Sequence, residues 1–467
     1  MATQERGNWN SHVGFVLAAA GSAIGLGNLW KFPYITWHNE GGAFVLVYLI
    51  AVLAVGLPIM MAEILVGRKT QKSPVGAMAD AVGKRWAWVG GVGVFTGFII
   101  LGYYSVIAGW TLRYFVKCVG WTFSGFQATE STGDAFGVFV GNGALQVGLA
   151  GLFMVLTVAV VMRGVSAGIE KVARILMPVL FAILLLLLVS ALRMKGSAEA
   201  LAFIFKPDFA NLPPRGVLEA LGHAFFTLSL GMGAMITYGS YLKKRECLVR
   251  ASGIVVLLDT FIAMIATTIM FSVIFSVPGM QEKVGGSTVG MLFITLPELF
   301  YNEMPMGRVL APLFYMLVGF AALTSTISLL EVITSYFIDQ RGMSRFKSTA
   351  LCGVGAFMLS ALCALSFGGS KLLTEFSWVY AGTDSAKKGL FDHLDYAASN
   401  WLLPVGGFLI TIAVGWFMTR EATESELVAD DNPRWFHYGA WRVAIRFVAP
   451  VAVAAIIVAV LLGKDFS

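Results

Sequence analysis

The residues of this chain best suited to chemistry carry oxygen, stand beside glycines, and lie inside apolar stretches. Two clusters hold them, GSAIGLGN at 21–28 and TLSLGMG at 227–233. A glycine in a helix interior costs ~1 kcal/mol relative to alanine, so each cluster predicts a break in a helix. The alternative reading is helix packing, because Gly21 and Gly25 also form a small-xxx-small pair. A break in hydrocarbon frees backbone N–H and C=O groups that need buried partners. Half-helix N-termini then suit a carboxylate and C-terminal ends suit a cation. Asn28, Thr227 and Ser229 flank the clusters and add side-chain oxygens for a hard ion such as sodium. A third stretch, ALTSTIS at 322–328, offers Thr324, Ser325, Thr326 and Ser328. Hydroxyls in membrane helices also bond their own i−4 carbonyls, so this stretch alone does not demand a ligand.

Three acids are expensive where they lie: Glu63, Asp259 and Glu331 all fall in apolar sequence. Asp259, in VVLLDTFIAM, has no basic neighbour and calls for a cation or a proton, of which a bound ion is favoured. His223, four residues before Thr227, reads as an interior histidine in preference to a proton carrier. GLG at 25–27 follows no strand, which argues against a nucleotide loop. No HExxH, GxSxG or Cys/His cluster appears, and Cys118, Cys247, Cys352 and Cys363 imply neither disulfides nor metal. An enzyme is therefore not expected, nor any organic cofactor.

These residues must be positioned by membrane-spanning helices. The 467 residues are 57% hydrophobic and only 13% charged, with a mean hydropathy of +0.78. Soluble domains carry about 25% charged residues. Apolar runs of ~20 residues recur throughout, at 12–36, 41–66, 87–118, 141–162, 167–192, 216–241, 249–277, 308–338, 347–367, 397–419 and 440–463. The expectation is an all-α polytopic membrane protein of about eleven spans, in one transmembrane domain over 1–467. The polar start MATQERGNWN has no cleavage pattern, so the first run reads as a retained helix. Loops after the even-numbered spans concentrate Lys and Arg, for example Lys243, Lys244, Arg245 and Arg250. By the positive-inside rule the N-terminus is cytoplasmic and the C-terminus outside. The net charge of +6 is spread over loops, which does not suggest nucleic acid binding. The glycine clusters fall in the first and sixth spans, the matching positions of a five-plus-five inverted repeat, and such interrupted helices point to a transporter site. Repeat one would run over about 10–192, repeat two over about 216–419, and an extra helix over about 440–463.

The motifs GSAIGLGNLWKFP (21–33), GLPIMMAEILVGR (56–68), FFTLSLGMGAMITYGSY (225–241) and ALTSTIS closely resemble the neurotransmitter:sodium symporter family. The likeness covers nearly the whole chain, in order, and is greatest to bacterial amino acid carriers. What it implies is sodium-coupled symport of a hydrophobic or aromatic amino acid into the cell by alternating access, across a bacterial inner membrane. Two sodium ions are implied, and no obligatory protein partner.

The first sodium site would use the Ala23 carbonyl, Asn28, Thr227, Asp259 and the substrate carboxylate. The second would use carbonyls of Gly21, Ile24 and Ala321 with the hydroxyls of Thr324 and Ser325. The substrate would meet the N–H groups of Leu26 and Gly27 and the Tyr104 hydroxyl, with Phe226 and Ser229 near its ammonium. Ser22, Ile100, Met232 and Leu329 would complete its pocket. Lys31 would face Asp395 at an outer gate under which Phe226 covers the substrate. Arg6 would pair with Asp339 at an inner gate, with Trp9 and Tyr238 nearby. Gly168 and Pro178 in span 5 match a pattern that lets this helix unwind. Ser22 replaces the aspartate of monoamine carriers, which favours amino acids. His223 and Ala263 replace two chloride-site residues, so a chloride requirement is not expected.

Overall fold

The computed structural model describes residues 7–126, 132–277, 290–379, 387–428 and 431–466. Among these, nine helices are long and apolar enough to cross a membrane, and a bent pair makes a tenth passage. The bent pair is span 1, His12–Ala23 and Gly27–His38, with 52° between its halves. Spans 2 to 5 are Gly42–Thr70, Lys84–Ser124, Gly143–Met162 and Val165–Ala191. Span 6 is more deeply interrupted: helix Pro214–Thr227 stops and helix Ala234–Gly239 resumes after six intervening residues. Spans 7 to 11 are Leu248–Ser276, Gly307–Arg341, Arg345–Leu365, Leu390–Phe417 and Tyr438–Leu461.

Hydropathy located every passage but misplaced some ends. Span 10 starts at Leu390, not 397, because Asp392, His393 and Asp395 make its first turns too polar for an apolar run. Spans 3 and 8 run past their apolar runs at both ends. The all-helical expectation meets one small exception, an antiparallel pair Ser377–Trp378 and Lys387–Lys388 between spans 9 and 10. Large apolar side chains such as Leu53, Leu257, Val354 and Val451 face outward, as a lipid-contacting surface requires.

Spans 3 and 8 make the most extensive packing, and span 1 lies against spans 5, 7 and 8. Small residues permit the closest approaches. A Cβ at Gly21 would stand 3.1 Å from both the Thr324 Cβ and the Met177 sulfur. Passages 1 and 8 therefore meet backbone to side chain, which brings two of the three oxygen-rich stretches together.

Candidate functional site

The two breaks differ in how their freed backbone is satisfied. Span 1 leaves the helix at Ile24, whose ψ of 95° is extended. The Asn28 side-chain oxygen accepts from Gly25 N–H at 3.1 Å, and the Tyr104 hydroxyl accepts from Leu26 N–H at 3.0 Å. A π-helical turn, Gly27–Lys31, restarts the passage. In span 6, Ser229, Gly231 and Gly233 all have positive φ. Ser229 is the costly one, since a side chain there is strained and such strain gathers at functional sites. Glu63 of span 2 supports this break: its carboxylate accepts Gly231 N–H at 2.7 Å. The two breaks touch where Ser229 Oγ donates to the Ser22 carbonyl at 2.9 Å.

Between them lies a cavity of about 30 Å³. Ser22, Leu26, Gly27, Ile100, Tyr104, Phe226, Ser229, Met232 and Leu329 line it, together with Ala23, Gly25, Thr227, Ser325 and Ser328. Every residue expected around the substrate is thus gathered in one place. Ser328, which belonged to the oxygen-rich stretch but to no expected site, receives the Ser22 hydroxyl at 2.8 Å.

On one side of this cavity stands Asp259, fully buried. Its carboxylate accepts from Asn28 Nδ2 at 2.8 Å and from Thr227 Oγ1 at 3.0 and 3.1 Å. Among the residues expected at the first sodium site, Asn28 and Thr227 are thus joined through Asp259, and Ala23 lines the adjoining cavity. An anion held by a hydroxyl and an amide still lacks a counter-charge in these bonds, and a sodium ion would supply it. On the other side, Thr324 Oγ1 and Ser325 Oγ both donate to the Ala321 carbonyl, at 3.0 and 3.2 Å. Gly21 packs on Thr324, and Ile24 ends the facing helix. This second cluster is built from neutral oxygens. Ser325 also shows the i−4 back-bond expected of a membrane hydroxyl, as does Thr324 to Phe320 at 3.2 Å.

Phe226 separates the small cavity from a larger one of about 300 Å³, and lines both. Lys31 stands over the Phe226 ring, 5.0 Å from its centre. Lys31 does not pair with Asp395 in this structure: its ammonium donates to the Phe466 carbonyl at 2.9 Å, while Asp395 accepts from Ser399 at 3.2 Å. The end of span 11 folds back into this cavity and presents that carbonyl to the lysine.

At the opposite end Trp9 closes the bundle. Its indole donates to the Tyr238 carbonyl at 3.0 Å and stacks edgewise on the Tyr238 ring, centroids 5.2 Å apart. Arg6 lies outside the described residues, and Asp339 accepts Ser73 N–H at 2.6 Å. Sequence reasoning found Glu331 but not its partners. Arg345 grips it with two bonds of 2.7 and 2.9 Å, and Tyr241 donates to it at 2.6 Å. The signal was present: an acid inside the membrane needs a cation, and Arg345 follows span 8 within one loop. Span 5 is wound throughout, with a π turn Val165–Glu170 followed by Lys171–Ala191 around Pro178. Gly168 is required there, because a Cβ would stand 2.2 Å from the Val160 carbonyl.

Broken helices facing each other in a polytopic bundle, with oxygen clusters on both sides of a central cavity, define a membrane transporter. The chain matches the profile of the Sodium:neurotransmitter symporter family over residues 6–132 and 138–464, and it belongs to that family. It is therefore a sodium-coupled transporter and not an enzyme. Among its relatives, a sodium-dependent transporter of Bacillus subtilis, YhdH, is 35% identical over 97% of both chains. A sodium-dependent transporter of Haemophilus influenzae is 30% identical over 97% of this chain and 98% of its own. Of solved structures, MhsT in complex with L-phenylalanine matches with a TM-score of 0.86 and 38% identity, over 97% of this chain and 99% of that one.

Proposed function

We propose that this protein carries a hydrophobic or aromatic amino acid into a bacterial cell together with two sodium ions, by alternating access and without need of chloride. The observation that carries the reading is the cavity itself. It is walled by the two broken spans, with Asp259 on one side, neutral hydroxyls on the other, and a mostly apolar remainder of Ile100, Phe226, Met232 and Leu329. Sodium at the Asp259 cluster would neutralise that carboxylate and take the substrate carboxylate as a further ligand. Sodium at the Ala321, Thr324 and Ser325 cluster would tie span 1 to span 8. Since one ion shares a ligand with the substrate, each tightens the binding of the other.

The amino acid assignment is supported by Ser22, a neutral residue at the cavity wall, and by MhsT, which was crystallised with L-phenylalanine. A cavity of about 30 Å³ accepts little beyond a water molecule, so binding must widen it. Met232, with its flexible thioether, and the glycine-bearing break beside it can yield. Absence of a chloride requirement is supported by His223, whose ring lies 5.6 Å from that of Tyr48, and by the charge of Asp259 close by. The placement of the breaks in passages 1 and 6 supports the five-plus-five repeat, and the basic even-numbered loops support a cytoplasmic N-terminus. On this reading the Lys31 end faces outside and the Trp9 end the cytoplasm.

Uptake of labelled phenylalanine into proteoliposomes tests the proposal. Accumulation is expected with sodium outside and to vanish when choline or potassium replaces it at constant pH. Undiminished uptake without sodium, or leak that only equalises concentrations, would overturn it.

A further inference from the structure

The end of span 11 is built to turn back. Gly463 adopts φ +90°, a conformation that favours glycine. Its N–H bonds to the Val460 carbonyl at 3.0 Å, and Lys464 N–H reaches back to Ala459 at 2.9 Å. These are the two bonds with which a left-handed glycine ends a helix and reverses the chain. The segment that follows enters the larger cavity, where Asp465 and Phe466 line the wall beside Lys31 and Phe226.

Asn400 holds it there. This side chain is fully buried in a π-helical turn of span 10, Ala397–Leu402. Its amide donates to Asp465 Oδ1 at 3.0 Å, and its oxygen accepts Phe466 N–H at 2.8 Å. With both ends of the amide engaged, the plane of the following peptide is set, and the Phe466 carbonyl receives the Lys31 ammonium at 2.9 Å. Lys31 in turn sits over the Phe226 ring. A continuous set of contacts thus runs from spans 10 and 11, through the returning segment, to the lysine of span 1 and the ring that roofs the central cavity.

We propose that residues 463–466 are a strap of the outer gate and that Asn400 is its positioning residue, seating the Phe466 carbonyl on Lys31 so that the central cavity stays closed above Phe226. The inference rests on the transport reading for its orientation and its substrate. The strap thus holds the lysine through a backbone oxygen, beside the Asp465 side chain on the same cavity wall.

The test uses the full chain in proteoliposomes with a reporter cysteine at Ile35, which lines the same cavity. The four native cysteines are buried. Labelling by a membrane-impermeant thiol reagent in sodium plus phenylalanine, and the dissociation rate of bound phenylalanine, are both read. Asn400→Ala and Asp465→Ala should raise both about three- to tenfold, the loss expected for one or two hydrogen bonds. Asp465→Asn keeps the accepting oxygen and should stay within about twofold of the parent. Unchanged labelling and dissociation in both alanine variants would overturn the strap, as would an Asp465→Asn variant behaving like Asp465→Ala. If the parent shows no sodium-dependent phenylalanine binding, the transport reading fails, and labelling in sodium alone still decides whether Asn400 closes the cavity.

Discussion

At the Trp9 end of the bundle three rings and a bidentate ion pair pack together, whereas at the Lys31 end an ammonium reaches a backbone carbonyl beside a cavity of about 300 Å³. The first arrangement has many partners per group: Glu331 is bonded by Arg345 and Tyr241, and Tyr241 packs against Trp9. The second lies at the edge of a cavity, with Lys31 over the Phe226 ring. A carrier whose two ends were closed alike would have no preferred direction of opening. Here the closure is unequal, a bidentate ion pair and packed rings at one end and a lysine over a cavity at the other.

The severest way to break that contrast is Arg345→Ala, which leaves Glu331 buried without a cation. Removing one member of a buried pair costs ~3–5 kcal/mol. Sodium-driven phenylalanine uptake should fall at least about a hundredfold on that cost, and Arg345→Lys should retain part of it, because a point charge cannot form both bonds. Uptake at the parent rate in Arg345→Ala would show that this end does not depend on the ion pair.

A second contrast lies between the two oxygen clusters. Asp259→Asn removes the charge of the first, and charged hydrogen bonds are worth ~1.5–3 kcal/mol. The sodium concentration for half-maximal phenylalanine binding should rise about ten- to a hundredfold. Thr324→Ala removes one neutral oxygen and should raise it about fivefold. Equal effects, or none, would contradict the division into a charged and a neutral site. The smallest change is expected from Lys31→Met. Lys31 is half-buried and bonds a neutral carbonyl; a typical hydrogen bond contributes ~0.5–1.5 kcal/mol, so thermal stability should move little while phenylalanine dissociates a few-fold faster. A large loss of stability would mean that the Lys31 end is as tightly closed as the other.

Much of this is legible in the sequence. The passages follow from apolar length, and the breaks at 24–26 and 228–233 follow from glycines that a helix tolerates poorly. Both are local energies, decided within a few residues of where they act. Resemblance to the family supplied the assignment of Ser22, Tyr104, Phe226 and Leu329 to one cavity, which no periodicity could have supplied. The Lys31–Asp395 pairing came from the resemblance alone, and in this structure the Lys31 ammonium meets a carbonyl of residue 466, at the far end of the chain. Arg345 was missed although Glu331 demanded a cation, since several basic residues near the ends of spans could have met that demand.

The sequence by itself determined that this is a helical membrane protein, that two of its passages are broken, and that three acids within it need partners. Those conclusions rest on composition and backbone propensity, which act over a turn or two of chain. Only the tertiary structure decided who the partners are: Gly231 N–H for Glu63, Asn28 and Thr227 for Asp259, Arg345 and Tyr241 for Glu331. In hydrocarbon every polar group must find a mate, but which mate it finds depends on how spans distant in sequence are packed side by side.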